Sequence, residues 1–147
     1  MRSKSPLALM EQLVMVLVFA LAAALCLQAF ALADRMSERN EAVDRAVMEC
    51  QNAAELMKAA GGDMAHAQQA ASERMGGGLS QGLWQVLYDE DWNVVSGWED
   101  CVYRLEAQGL PVSVEGLCKA HVQIVREEDG QPLFELNVAW QEVDGNG

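Results

Sequence analysis

The chain has 147 residues, of which 51% are apolar, and a formal net charge of −12 at pH 7. All acidic residues except Glu11, and all basic residues except Arg2 and Lys4, follow Ala33. Phosphate recognition requires basic patches, so this composition argues against nucleic-acid binding. It also argues against binding to anionic lipid through the acidic part.

The apolar residues are concentrated in one segment near the N-terminus. Residues 13–33 carry no charge and one polar side chain, Gln28. As a helix these residues span about 31 Å, roughly the thickness of a bilayer core. The preceding residues 1–12 contain a basic leader and an entry segment, whereas charges of both signs follow residue 33. The positive-inside rule therefore predicts a single-pass helix in the cell membrane, with residues 34–147 outside the cytoplasm.

A cleavable signal peptide is the alternative interpretation of the same segment. Ala31-Leu32-Ala33 fits the small-x-small pattern that precedes a cut, which would leave Asp34 as the new N-terminus. The apolar run is longer than the 7–15 residues of an ordinary signal peptide, and no helix breaker precedes the cut. These features favour a retained anchor.

Glu11 stands at the entry to the apolar segment, where a carboxylate is costly. One interpretation is that the helix begins at Leu13, so that Glu11 lies at the membrane interface near Lys4. The stretch also resembles the N-terminal signature of type IV pilins and pseudopilins; it reads Leu7-Ala8-Leu9-Met10-Glu11-Gln12-Leu13-Val14. The resemblance implies a cleaved leader Met1–Pro6, a methylated N-terminus at Leu7, and a role for Glu11 in assembly. In that family the carboxylate pairs with the N-terminal amine of a neighbouring subunit.

This resemblance implies a structural subunit of a bacterial pilus or secretion apparatus, with other pilin-like subunits or envelope proteins as partners. It implies neither an enzymatic activity nor a cofactor. The chain departs from the family pattern at Pro6, where a small residue usually precedes the cut. The alternative is an uncleaved, signal-anchored accessory or binding domain that does not polymerise.

The segment 34–78 is predicted to be helical and to lie outside the cytoplasm. No Gly or Pro occurs between Asp34 and Ala60, so one helix is expected from Leu7 to Ala60. Apolar residues at steps of seven, four and three predict a buried stripe: Met36, Val43, Val47, Cys50, Ala54 and Met57, widened by Ala46 and Ala53. The stripe suits either a coiled coil or packing on the protein's own sheet. After Gly61-Gly62, Asp63 is expected to cap a second helix, Met64–Met75.

Residues 79–147 are predicted to form three to five antiparallel strands with one solvated face. Trp84, Val86 and Tyr88 alternate with polar positions, and a strand from Val112 to Ile124 is expected after a turn at Gly109-Leu110. Glu128-Asp129-Gly130 predicts a hairpin that leads into the last strand, with Phe134, Leu136, Val138 and Trp140 on one face. The fold class expected is α+β, with the long helix packed on the sheet as in pilins.

The cysteine positions leave the redox state open. If the turn centres on Gly109-Leu110, Cys101 lies opposite Cys118, and an extracytoplasmic location permits a disulfide between them. Pairing that involves Cys50 and free buried thiols are the alternatives. Cys26 is expected to be an apolar filler in the membrane segment.

No metal, cofactor or catalytic site is predicted. The chain has no CxxC or Cys/His zinc spacing, and neither His66 nor His121 has a nucleophile or acid at a recognisable spacing. Asp89-Glu90-Asp91 is expected to be a solvated turn rather than a cation site. Trp98, beside Glu99-Asp100, marks either an interaction surface or a lid on the sheet edge.

Overall fold

The computed structural model describes residues 4–142, which fall into two compact units, residues 4–41 and 42–142. A long N-terminal helix packed on a small antiparallel sheet gives an α+β fold, as the sequence predicts. The basic residue Arg2 and the C-terminal tail after Glu142 lie outside the described residues.

Helix α1 runs without interruption from Ser5 to Ala60. It begins earlier than predicted, because Pro6 in the first turn fixes a helical φ and needs no backbone donor there. The carbonyl of Lys4 accepts the first helical hydrogen bond, from the backbone N–H of Ala8 at 3.3 Å. The predicted end at Ala60 is confirmed, and Gly61 and Gly62 follow with φ of 62° and 69°.

The buried stripe of α1 is only partly the predicted one. Val43 and Val47 lie half-buried at its flank, and Met36 is 58% exposed. The expectation that Met36 belongs to the stripe is wrong, because Met36 precedes the part of the helix that packs on the sheet. Small side chains dominate the centre of the stripe, which lets the helix backbone approach the sheet; the buried residues are Ala42, Ala46, Cys50, Ala53, Ala54 and Met57.

Helix α2, Met64–Met75, has the bounds and the cap that the sequence predicts. A carboxylate oxygen of Asp63 accepts a hydrogen bond from the backbone N–H of His66 at 2.8 Å. Gly76, with φ of 81°, ends the helix and donates its N–H to the carbonyl of Ser72. The helix buries Ala67, Gln68 and Ala71.

All strand pairs in the sheet are antiparallel, and the strand order is β1-β2-β4-β5-β6. The two-residue strand β3 pairs with β2 outside this order. A short 3₁₀ helix, Trp98–Asp100, precedes β4. The strands are β1 Gly78–Ser80, β2 Leu83–Tyr88, β3 Val94–Val95, β4 Tyr103–Gly109, β5 Leu117–Arg126 and β6 Pro132–Gln141.

Two parts of the sheet differ from the sequence-based prediction. Strand β1 was not expected, since Gly78–Ser80 is short and has no apolar alternation. Strand β5 begins at Leu117 rather than at Val112, because a loop from Leu110 to Gly116 replaces the expected tight turn. The backbone N–H of Leu110 donates to the carbonyl of Lys119 at 2.7 Å and closes this loop. Val112 and Val114 are consequently 40% and 61% exposed.

The core lies between the inner face of the sheet and the two helices. The predicted alternation of β2 is confirmed, since Trp84, Val86 and Tyr88 are buried. The hairpin at Glu128-Asp129-Gly130 is also confirmed, and it aligns Trp140 with Cys118 in register. The sheet supplies the larger core side chains, whereas the helices supply mostly alanines.

Candidate functional site

The first unit contains the apolar segment of α1 and the first charged residues after it, up to Glu41. Each residue from Lys4 to Glu41 is exposed, including large apolar side chains such as Phe19 at 77% and Phe30 at 70%. By length and composition α1 is a candidate membrane span, and none of its most apolar window is buried by protein. A helix that is apolar on all sides requires an apolar environment, which the described protein residues do not supply here.

The two residues predicted to act in assembly lie close together in this unit. Leu7 is 79% exposed in the first turns of α1, and Glu11 is exposed one turn further on. Apolar side chains also flank Glu11 on its N-terminal side, since Leu9 and Met10 are each 65% exposed. Within residues 4–142, no ion pair involves the Glu11 carboxylate.

Trp98 lies at the start of the short 3₁₀ helix and is 57% exposed. The guanidinium carbon of Arg104 lies 5.4 Å from the centre of its ring, in a cation–π contact that covers one face. A shallow groove of about 400 Å³ adjoins the ring. Glycine backbone and apolar side chains dominate its lining, which includes Gly77, Gly78, Leu79, Leu87, Val94 and Val95. Trp98 therefore has the exposure that an interaction surface needs, and its role there stays a prediction.

A polar network covers the neighbouring outer face of the sheet. The Glu106 carboxylate accepts hydrogen bonds from the side-chain amides of Gln85 at 3.0 Å and Gln123 at 2.8 Å. It also pairs with Arg104, whose Nε lies 2.7 Å away, and Arg104 reaches Glu127 in turn. The paired register of β2, β4 and β5 aligns Gln85, Glu106 and Gln123. Because the Glu106 oxygens are occupied by these partners, the network stabilises the sheet surface.

Of the alternatives left open for the cysteines, the structure has free thiols: all four cysteines are free, and the possible Cys101–Cys118 disulfide is not formed. Cys101 lies two residues before β4, whereas Cys118 lies near the start of β5. Since β4 and β5 are antiparallel, and Gly109 at the end of β4 pairs with Ala120, the two cysteines lie at opposite ends of the pair. The loop from Leu110 to Gly116 produces this register, and a turn at Gly109-Leu110 would not.

The three cysteines outside the apolar segment are poorly suited to act as nucleophiles. Burial, with a smaller contribution from the charge of Glu49, raises the pKa of the Cys50 thiol to about 12. Desolvation also raises the pKa of Cys101 and of Cys118, helped by nearby carboxylates. A raised pKa keeps these groups as thiols, and the thiolate is the nucleophile.

The acidic turn after β2 is organised by its own side chains. The Asp89 carboxylate accepts hydrogen bonds from the backbone N–H groups of Asn93 and Asp91, at 2.8 and 2.9 Å, and from the Asn93 side chain at 3.1 Å. These bonds lower the pKa of Asp89. Among the described residues there is no cluster of His, Cys, Asp and Glu that could hold a metal ion.

Several structural roles were missed from the sequence. The buried Gln68 donates from its amide to the carbonyls of Gly82 and Ala107, both at 2.9 Å. The indole N–H groups of Trp84 and Trp140 donate to Gly76 and Gly62, the glycines that follow the two helices. Trp84 lies 8 residues and Trp140 lies 78 residues from its acceptor along the chain. The local sequence around each tryptophan therefore gives no signal of the bond.

Trp92 has a further structural role that the sequence does not indicate. Its backbone has φ of 64°, and its ring stacks on Tyr103 with ring centres 4.2 Å apart. The ring centre of Tyr88 lies 5.7 Å from that of Trp92.

The two histidines lie on different elements. His66 is exposed on α2, and His121 Nδ1 lies 2.9 Å from the side-chain oxygen of Asn137. Neither forms a catalytic arrangement among the described residues.

Comparisons with protein-family models, with curated proteins and with solved structures each found no match. The function therefore has to be argued from the residues and the fold of this chain.

Proposed function

We propose that the protein is a membrane-anchored, pilin-like or pseudopilin-like structural subunit of a bacterial envelope, pilus or secretion apparatus. Its apolar segment lies in the cell membrane with a cytoplasmic N-terminus, and its acidic domain faces outward. Its activity is assembly through the helix, so it is not an enzyme. The observation that carries the proposal is the continuity of α1, whose apolar half leads directly into the half that packs on the sheet.

The helical conformation at residues 31–34 supports retention of the anchor. Ala31, Leu32 and Ala33, which form the candidate signal-peptide cut, lie in the middle of α1. No glycine or proline interrupts the helix near them. A retained helix of this length places the exposed apolar side chains in lipid, where their exposure costs nothing.

Glu11 supports an assembled state over an isolated anchor. An unpaired carboxylate between apolar turns is costly at the hydrocarbon boundary, and a partner of opposite charge removes that cost. No such partner lies within 4 Å of Glu11 in the described part of its own chain. A neighbouring subunit in the same membrane is the partner that this arrangement favours.

The second candidate is an uncleaved, signal-anchored accessory or binding domain that does not polymerise. Pro6 favours it, because this residue replaces the small residue of the prepilin cleavage site and lies in the first turn of α1. Trp98 and the groove beside it would then be the binding surface.

Co-purification of differently tagged copies of the full chain from bacterial membranes tests the proposal. We expect the copies to co-purify in mild detergent, and the Glu11→Ala variant to co-purify much less while it remains in the membrane. A Gln51→Ala variant is the control, because Gln51 is exposed on α1 far from the apolar segment. Copies that never co-purify, in a chain that is inserted with its C-terminal domain outside, would favour the second candidate.

A further inference from the structure

The groove beside Trp98, or Trp98 groove, lies where β1 and β3 both pair with one edge of β2. The other edge of β2 is occupied by β4 along its whole length. Register places Gly78 beside Gln85 and Val95 beside Leu87, on the outer face of the sheet, because the alternate residues of β2 are buried. Gly78 has no side chain, and a Cβ added there would meet nothing within 4 Å. The missing side chain leaves this part of the face open as a trough.

The Trp98 groove exposes apolar surface that the described residues leave uncovered. Trp98 is 57% exposed, Val94 52% and Leu79 40%. Arg104 covers only one face of the indole ring. Within residues 4–142, β1 and β3 have no partner strand other than β2, so their outer edges are open. An open strand edge beside an apolar trough is the kind of site at which an extended peptide segment binds.

A second hollow, of about 450 Å³, adjoins the Trp98 groove and shares Val95 with it. This acidic recess is lined by five carboxylates, those of Asp89, Glu90, Asp91, Glu99 and Asp100. None of the residues that line either hollow is basic. Asp89 is engaged by its own turn, whereas the other four carboxylates form no ion pair with any residue in the described range. The two hollows thus form one surface that is apolar at one end and strongly negative at the other.

We propose that this surface binds an extended segment of a partner protein in which apolar side chains adjoin a run of lysines or arginines. The apolar side chains lie against Trp98 and Leu87, and the basic side chains reach the acidic recess. Charge complementarity selects this occupant, because unpaired carboxylates beside an apolar groove attract and orient a cationic segment.

A second copy of the chain does not have this chemistry. Its net charge is −12, and no two of its ten basic residues are adjacent in the sequence. Nucleic acids and anionic lipids are repelled by the same carboxylates. The inference goes beyond the proposed assembly, because it concerns the acidic domain and requires no contact between apolar helices.

Fluorescence anisotropy with a labelled synthetic peptide tests the proposal. The probe is a short peptide in which leucine and threonine alternate before a run of lysines, and the full chain is held in nanodiscs of uncharged lipid. We expect binding that weakens about fivefold when NaCl is raised from about 0.03 to 0.3 M, because salt screens exposed charges. Two control peptides, with serine in place of leucine or with threonine in place of lysine, should each bind at least about fivefold more weakly than the probe.

Two pairs of charge-removing substitutions distinguish the acidic recess from the general charge of the domain. Glu99→Gln/Asp100→Asn should weaken binding of the probe about fivefold. Asp44→Asn/Glu55→Gln is the matched control, because it removes the same charge from exposed positions on α1, which packs on the opposite face of the sheet. It should change binding less than about twofold, since the removed charges lie far from the peptide.

The variant Gly78→Val tests the apolar end of the surface. The added side chain fills the trough without a clash, so the thermal midpoint should stay close to the wild type while binding falls about fivefold. Unchanged binding in this variant would overturn the proposal.

The remaining outcomes are equally decisive. The proposal is overturned if the probe does not bind, if the serine peptide binds as tightly as the probe, or if both pairs of charge substitutions weaken binding equally. The last two results would mean that the domain attracts any cation. None of these measurements depends on association between copies, so a failure of copies to co-purify would overturn the proposed function and leave this binding surface intact.

Discussion

At the scale of single residues, two tryptophans tie the sheet to the ends of the helices. The indole N–H of Trp140 lies 2.9 Å from the carbonyl of Gly62, and that of Trp84 lies 3.0 Å from the carbonyl of Gly76. Both side chains are buried, and each bond satisfies the carbonyl of a glycine that follows a helix. The large indole rings fill the core, and the indole N–H groups hold the segments that follow the two helices against the sheet.

We expect Trp140→Phe to lower the free energy of unfolding by about 1 kcal/mol, because the Gly62 carbonyl loses its shorter hydrogen bond and keeps only the weak one from the Cys118 thiol at 3.7 Å. Trp98→Phe is the control, since Trp98 donates no hydrogen bond among the described residues and is mostly exposed; it should change stability by less than about 0.5 kcal/mol. Urea unfolding of the full chain in detergent, followed by circular dichroism, measures both. Equal stability of the two variants would contradict the role given to Trp140.

Cys50 and Tyr88 predict how the stability of the domain depends on pH. Burial and the nearby Glu49 raise the pKa of Cys50 from 9.0 to about 12, and they raise the pKa of Tyr88 as well. Above pH 9 the unfolded chain loses protons that the folded domain retains. The free energy of unfolding should therefore decrease as the pH rises from 9 toward 12.

The Cys50→Ala variant tests this dependence. It removes the most strongly shifted thiol, so its urea midpoint should decrease less steeply between pH 9 and pH 10 than that of the wild type. Below pH 8 the two curves should run parallel. An identical slope in both proteins above pH 9 would show that Cys50 does not titrate as proposed.

At the scale of elements, Gly77 is required for the junction between α2 and β1. Its φ is 88°, and a Cβ built there would lie 2.1 Å from the carbonyl oxygen of Gln85. Gly77→Ala should therefore destabilise the domain by about 2 kcal/mol. Gly97→Ala is the control, because Gly97 has φ of −107° and nothing within 4 Å of an added Cβ.

Thermal unfolding by circular dichroism distinguishes the two glycine variants. The midpoint of Gly77→Ala should fall by several degrees, whereas that of Gly97→Ala should stay close to the wild type. Equal midpoints would mean that β1 can move away from β2 at little cost.

Strong local signals made much of the fold predictable from the sequence. The absence of Gly and Pro between Asp34 and Ala60 predicts that α1 is continuous, and Gly61-Gly62 predicts its end. The Asp63 cap predicts the start of α2. The alternation of Trp84, Val86 and Tyr88 predicts β2. These patterns depend only on neighbouring residues, which is why they can be recognised without the structure.

The errors arose where distant residues decide the structure. The register of β4 and β5 depends on the loop from Leu110 to Gly116. Val112 and Val114 have the alternation that is typical of a strand, although both are exposed in that loop. The Cys101–Cys118 pairing failed for the same reason. The candidate site was predictable only in its apolar helix. The exposure of Trp98 was left open, and the network around Glu106 requires three strands in one register.

At the scale of the whole molecule, the apolar residues and the charged residues lie in separate parts of the chain that suit different environments. The apolar excess belongs to residues that are exposed on α1, and the negative charge belongs to the sequence after Ala33. Lipid is the environment that suits the first, and water suits the second.

Photo-cross-linking from Phe19 in intact bacterial membranes tests the proposed assembly most directly. Phe19 is 77% exposed in the apolar segment, so a photoreactive residue placed there reports what surrounds the helix. We predict a ladder of cross-linked copies beyond the dimer, which Glu11→Ala strongly reduces. A chain that is inserted in the membrane but yields only monomer would contradict the account.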